Sequence, residues 1–159
     1  MKSSRLIMGR GAAVALFAAL LAGGLTACSE AAPKNPTIEA RKANFKAIGV
    51  AFKTVGDQLK TGTPDLEKIR PATSDLVKRT ALIKDYFPAG TGPETGAKTE
   101  AKAVIWSKPA EFAKHSDDVV KAATALDAAA TKGDLAALGT ASAALGASCK
   151  ACHTEFREK

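Results

Sequence analysis

An unbroken alternation of three- and four-residue steps closes this chain, running through Leu135, Leu138, Ser142, Leu145, Cys149, Cys152 and Phe156. Steps of that size keep side chains on one stripe of an α-helix, so the segment folds as a helix whose inner stripe carries two cysteines. His153 follows directly, completing Cys149-Lys150-Ala151-Cys152-His153. Positions i, i+3 and i+4 share a helical face, so both thiols and the imidazole can reach one flat object. C-x-x-C-H is the attachment signature of c-type haem, in which two thiols add across the porphyrin vinyl groups and the histidine binds iron.

Two other chemistries use similar residues. A zinc site needs four ligands, and outside the pentapeptide only Cys28 and His115 remain, with Cys28 in a leader. A thiol-disulfide oxidoreductase using the Cys149/Cys152 pair stays open as the alternative function, but such a motif normally opens a helix within alternating strands and helices. This one ends a chain without a convincing strand run. The expectation is one haem c per chain, in a carrier or binder rather than an enzyme, with no catalytic residue assigned.

Three further seams precede the last. Ile38, Phe45, Ile48, Phe52, Val55 and Leu59 form the first, and its missing step is filled by Arg41. A guanidinium at a core position costs several kcal/mol unless an anion meets it, so Arg41 either snorkels to water or pairs with a haem propionate. Leu66, Ile69, Thr73, Leu76, Thr80, Ile83 and Phe87 form the second, capped by Asp65 or Thr63 and kinked at Pro71. Residues 88–96, rich in Pro and Gly, forbid regular structure. Phe112, Ser116, Val119, Ala123, Leu126 and Ala130 form the third, with Pro109 in its first turn and Lys132-Gly133-Asp134 at its end. Four amphipathic helices predict an all-α, antiparallel four-helix bundle with the haem near one end.

At the start of the chain, Lys2, Arg5 and Arg10 precede an apolar run from Gly11 to Leu25, followed by Leu25-Thr26-Ala27-Cys28. Basic, apolar and small-residue regions in that order are an export signal, and about 15 apolar residues are too few to span a bilayer comfortably. Residues 1–27 read as the signal, 28–36 as a tether and 37–159 as the bundle. Cys28 sits in a lipobox-like context; with Cys149 and Cys152 on haem it would otherwise be an odd free thiol in an exported protein. The expectation is a periplasmic domain, lipid-anchored to a bacterial membrane through Cys28. Losing the leader lowers the formal charge from +7 to +4. The remaining positive charge is spread out and not interleaved with Trp106 or Tyr86, which argues against nucleic-acid binding.

The region from Thr37 to Lys159 resembles the cytochrome c′ family, the class II c-type cytochromes. The resemblance rests on C-K-A-C-H-T-E-F-R at the C-terminus, Ile105-Trp106 after a Gly/Pro-rich loop, and Arg41 four residues before Phe45. It implies that Arg41 pairs with a propionate, that Phe45 faces the open side of the iron and that Arg157 lies beside the proximal histidine. Glu94 and Thr95 are candidates for a second propionate contact, and a homodimer through the first two helices is implied. Both methionines, Met1 and Met8, fall in the leader, and His115 is expected at the surface. The iron is therefore expected to be five-coordinate and high-spin, with His153 its axial ligand. Expected partners are redox proteins and small gases such as nitric oxide and carbon monoxide.

Overall fold

Residues 32–159 are described by the computed structural model, so Cys28 and the leader lie outside the described residues. The elements are α1 (Pro36–Leu59), α2 (Leu66–Ala81), α3 (Val104–Ser107), α4 (Pro109–Lys132) and α5 (Leu135–Phe156). Single 3₁₀ turns lie at Lys84–Tyr86 and Pro93–Thr95. The four long helices form the antiparallel bundle, with α1 packed on α2, α2 on α4 and α4 on α5. Between α1 and α5 the packing is sparse.

Local chemistry accounts for the boundaries. Asn35 Oδ1 accepts from the amides of Thr37 (3.0 Å) and Ile38 (3.2 Å), with Pro36 in the first turn, so α1 begins where its unpaired donors are met. Asp65 caps α2 by accepting from the Glu67 amide at 3.0 Å, and Asp134 caps α5 through the Ala137 amide at 3.0 Å. Gly133 ends α4 in the left-handed region at φ 71°, where a side chain would be strained. The short α4–α5 connection that results brings those two helices back antiparallel.

Several expectations need correction. The second seam runs to Phe87, but α2 stops at Ala81; there the Leu82 and Ile83 amides reach back three residues, to the carbonyls of Arg79 (3.3 Å) and Thr80 (3.1 Å), and the chain tightens into the 3₁₀ turn. Ile83 is still buried from this tighter turn. Pro71 lies inside α2, as expected. The 88–96 loop is not wholly irregular, since Pro93–Thr95 makes one turn. Leu135, placed on the fourth seam, is 47% exposed because it stands at the first position of α5, beyond the core.

At the end where α1 finishes and α5 starts the core is closed. Val55, Ile69, Leu76, Ala123, Leu126, Ala130 and Leu138 are fully buried where all four helices meet. Toward the other end, where α1 starts and α5 finishes, α1 and α5 separate around a cavity.

Candidate functional site

A cavity of about 500 Å³ occupies the parting of α1 and α5. Its α1 wall is Arg41, Phe45, Ile48 and Phe52; its α5 wall is Leu145, Cys149, Cys152, His153 and Phe156. The two walls touch near Gly146, where a Cβ would lie 3.5 Å from Phe52 Cζ. Ile83, Phe87, Ile105, Phe112, Ser116 and Val119 close the inner side. A flat apolar body with one polar edge matches this lining, since carboxylates on such a body would find Arg41 or the rim lysines Lys42 and Lys46.

The motif residues are brought together as the helical spacing requires. Cys149 and Cys152 are half-buried and unpaired, and both line the cavity with His153. Burial pushes the Cys149 thiol up, and it pushes Cys152 up to about 11, with repulsion from Cys149 and Glu155 adding to it. Thiols held so far from the thiolate are poor exchange nucleophiles at neutral pH, which disfavours the dithiol alternative. His153 is exposed at the cavity rim and shifts down, first through partial desolvation by its surroundings and then because of the Arg157 charge, with Glu100 opposing. A neutral imidazole keeps a lone pair for a metal.

Arg41 does not snorkel. It is 3% exposed, and its Nη2 donates to Thr91 O (2.9 Å) and Thr99 Oγ1 (2.8 Å), while Nη1 reaches Tyr86 O (3.3 Å) and Thr91 Oγ1 (3.4 Å). The guanidinium also lies 4.5 Å from the centre of the Phe87 ring. Every partner is uncharged, and Glu94 acts on Arg41 only through space, so burial lowers its pKa. Nε makes none of these bonds, and Arg41 lines the cavity. Glu94 and Thr95 instead fold the loop on itself, bonding Gly92 N (2.9 Å) and Gly92 O (2.8 Å), and neither lines the cavity. Gly92 has no room for a side chain, because a Cβ there would meet Trp106 at 2.9 Å.

Phe45 is half-buried, edge-on to Phe87 with ring centres 6.2 Å apart. The first seam thus divides along its length: Arg41, Phe45, Ile48 and Phe52 line the cavity, while Ile38 and Val55 are fully buried outside it. His115 is not a free surface residue. Its side chain is 25% exposed, with Nε2 3.5 Å from Glu155 and the ring against Phe156, and it stays outside the cavity lining.

Four contributors escaped the sequence reading of the site. Thr91 and Thr99 hold Arg41, Glu100 holds Arg157 with Oε2 2.6 Å from its Nη2, and Ser116 Oγ is buried in the cavity wall without a hydrogen-bond partner. Ser116, 1% exposed, did carry a signal, being a serine at a seam position otherwise held by Phe112 and Val119. A buried hydroxyl left over by the protein suits a cavity built to hold something more.

The comparisons agree with this geometry. The family model for cytochrome c′ matches residues 36–157. The cytochrome c′ of Pararhodospirillum photometricum is 42% identical over 113 residues, covering 68% of this chain and 90% of that protein. Among solved structures, a nitric oxide complex of a mutant cytochrome c prime from Alcaligenes xylosoxidans superposes with a TM-score of 0.70 at 30% identity, covering 77% of this chain and 94% of that one. A cytochrome c′ described as having ligand-controlled dimer dissociation superposes with a TM-score of 0.72 at 25% identity, covering 80% and 100%.

Proposed function

We propose that this chain, which belongs to the cytochrome c′ family, is an exported monohaem c-type cytochrome that carries single electrons and admits small uncharged gases such as nitric oxide and carbon monoxide. Proteins of this family bind one covalent haem c per chain. Haem c supplies a one-electron iron couple and, where one axial position is open, a site for diatomic gases. The observation that carries the reading is the cavity's pair of walls: two thiols and an imidazole on α5, facing a phenylalanine on α1, with no second imidazole or thioether in the lining among the described residues.

Each residue then has a separate task. Cys149 and Cys152 fix the macrocycle through thioethers, and His153 offers its neutral nitrogen to the iron. Arg41 meets a propionate with the donor that the loop leaves free. Arg157 stands beside His153 at the end of α5. Phe45 would exclude water and offers no lone pair, so its wall would supply no second protein ligand to the bound group, and a gas approaching from that side would have to displace the ring.

Location and assembly belong to the same proposal. Residues 1–27 export the chain to the periplasm, and lipid on Cys28 holds residues 37–159 at the membrane through the 28–36 tether, where redox proteins are its partners. A second copy packs on the outer face of α1 and α2, where Val50 is 61% exposed above a groove lined by Ala47, Ala51 and Ala72.

The test is a pyridine haemochrome spectrum of the purified protein with haem staining after denaturing electrophoresis. Covalent haem in unit stoichiometry is expected, and loss of all haem on denaturation refutes the reading. Entry of carbon monoxide then tests Phe45. Moving its ring gives up an edge contact with Phe87 worth ~0.5–1.5 kcal/mol, so Phe45→Ala should speed binding about two- to tenfold.

A further inference from the structure

Among the described residues, Glu100 is the one carboxylate in the cavity lining, against four basic side chains, Arg41, Lys42, Lys46 and Arg157. It is tied to Arg157 across 57 residues of chain by its Oε2, which lies 2.6 Å from both Nε and Nη2. The backbone repeats the connection. Ala101 and Arg157 form an antiparallel bridge, the Lys102 amide donates to Phe156 O (3.0 Å), and the Glu158 amide donates to Glu100 O (2.7 Å). One residue earlier, Thr99 accepts from Arg41 at 2.8 Å. Residues 99–102 are thus a strap running from the α1 wall to the turn of α5 that follows His153.

The side-chain pair is not needed to hold the strap, because the two backbone hydrogen bonds of that bridge already do so. Nor is it a large source of stability: its side chains are 50% and 66% exposed, and such pairs contribute ~0–1 kcal/mol. What it does is place charge. Arg157 sits one turn beyond His153, its amide bonded to His153 O at 3.1 Å, on the wall where the iron ligand stands. The neighbouring acid, Glu155, is turned to the far side of α5, against Lys108 and His115, so Glu100 is the group that balances Arg157.

We infer that Glu100 is a positioning residue that holds Arg157 beside His153 as a neutral ion pair, and that this pair sets the charge felt at the iron. The inference rests on the haem reading above. A lone cation near the iron disfavours Fe(III) relative to Fe(II), while a lone carboxylate does the reverse. Glu100→Gln should therefore raise the midpoint potential and Arg157→Gln should lower it. Each change corresponds to about a threefold change in the Fe(II)/Fe(III) ratio at fixed potential, about 30 mV.

The experiment is an electrochemical titration of the mature wild type, Glu100→Gln, Arg157→Gln, the double variant and Arg157→Lys. It is paired with hydrogen exchange at the Lys102 and Glu158 amides. Haem content is read first, and a wild type without covalent haem overturns the haem reading before any potential is compared. Support is a rise, a fall, a double variant returning close to wild type, Arg157→Lys unchanged, and protected amides in all of them. Two single variants that shift in the same direction, no shift in either, or shifts that accompany lost protection at Lys102 and Glu158 overturn the inference. In the last case the pair is only a structural clasp.

Discussion

The two ends of the bundle are built from the same kinds of residue and reach opposite outcomes. At the end holding Gly133, Leu126 and Leu138 are fully buried among four converging helices. At the other end α1 and α5 draw apart, leaving Phe45, Phe52, Cys149 and Cys152 only half-buried around a cavity. An apolar side chain stopped halfway into a core forgoes part of its transfer free energy, roughly 25 cal/mol for each Å² left in water. The closed end is a finished core, and the open end is a core that takes its last member from outside the polypeptide.

That contrast can be broken by mutation. Leu138→Ala at the closed end should cost about 3 kcal/mol in denaturant unfolding whether or not haem is attached. Phe52→Ala at the open end should cost less than half as much in the haem-free chain, and equal losses at both sites would remove the distinction. Arg41→Leu sharpens it further. The guanidinium is buried among uncharged acceptors, so its loss should be felt mainly when an anion is present to meet it. The penalty in the haem-loaded protein should exceed that in the haem-free chain by about 2 kcal/mol, the scale of a hydrogen bond to a charged group. Equal penalties would make Arg41 a loop staple only.

The smallest effect concerns the thiols. With Cys152 held near 11, alkylation of the haem-free chain at pH 8 should run roughly tenfold slower than for an ordinary thiol, after allowing for the greater nucleophilicity of its rarer thiolate. The sign is definite. Because burial disfavours the thiolate, reactivity should climb as pH rises toward the raised pKa. A thiol that reacts at the ordinary rate, or faster, would return the disulfide-exchange alternative to consideration.

Local pattern was enough for much of this. Three- and four-residue steps announce a helix wherever they occur, so α1, α4 and α5 and the shared face of Cys149, Cys152 and His153 were legible without coordinates. So were the start of α2 at Asp65 and the end of α4 at Gly133, which act on backbone groups only a few residues away, whereas the caps at Asn35 and Asp134 came only from the structure. The seam itself was ambiguous. Periodicity separates inside from outside, but Phe45 and Val55 look alike in a seam, although Val55 is fully buried in the closed core and Phe45 lines a cavity. The end of α2 was misplaced for the same reason, since a 3₁₀ turn can keep Ile83 facing inward after the α-helix has stopped.

What the amino-acid order determined by itself is therefore the bundle, its caps at Asp65 and Gly133 and the C-x-x-C-H face, since all of these depend on contacts within a turn or two of one helix. Tertiary structure alone decided where Arg41 finds its acceptors, 45 to 58 residues away at Tyr86, Thr91 and Thr99, and that Glu100 closes on Arg157 from 57 residues away. Hydrogen-bonding and ion-pairing partners of that kind leave no periodic trace, because a side chain's reach is a few ångströms in space and the chain between the two ends is free to take any path that brings them together.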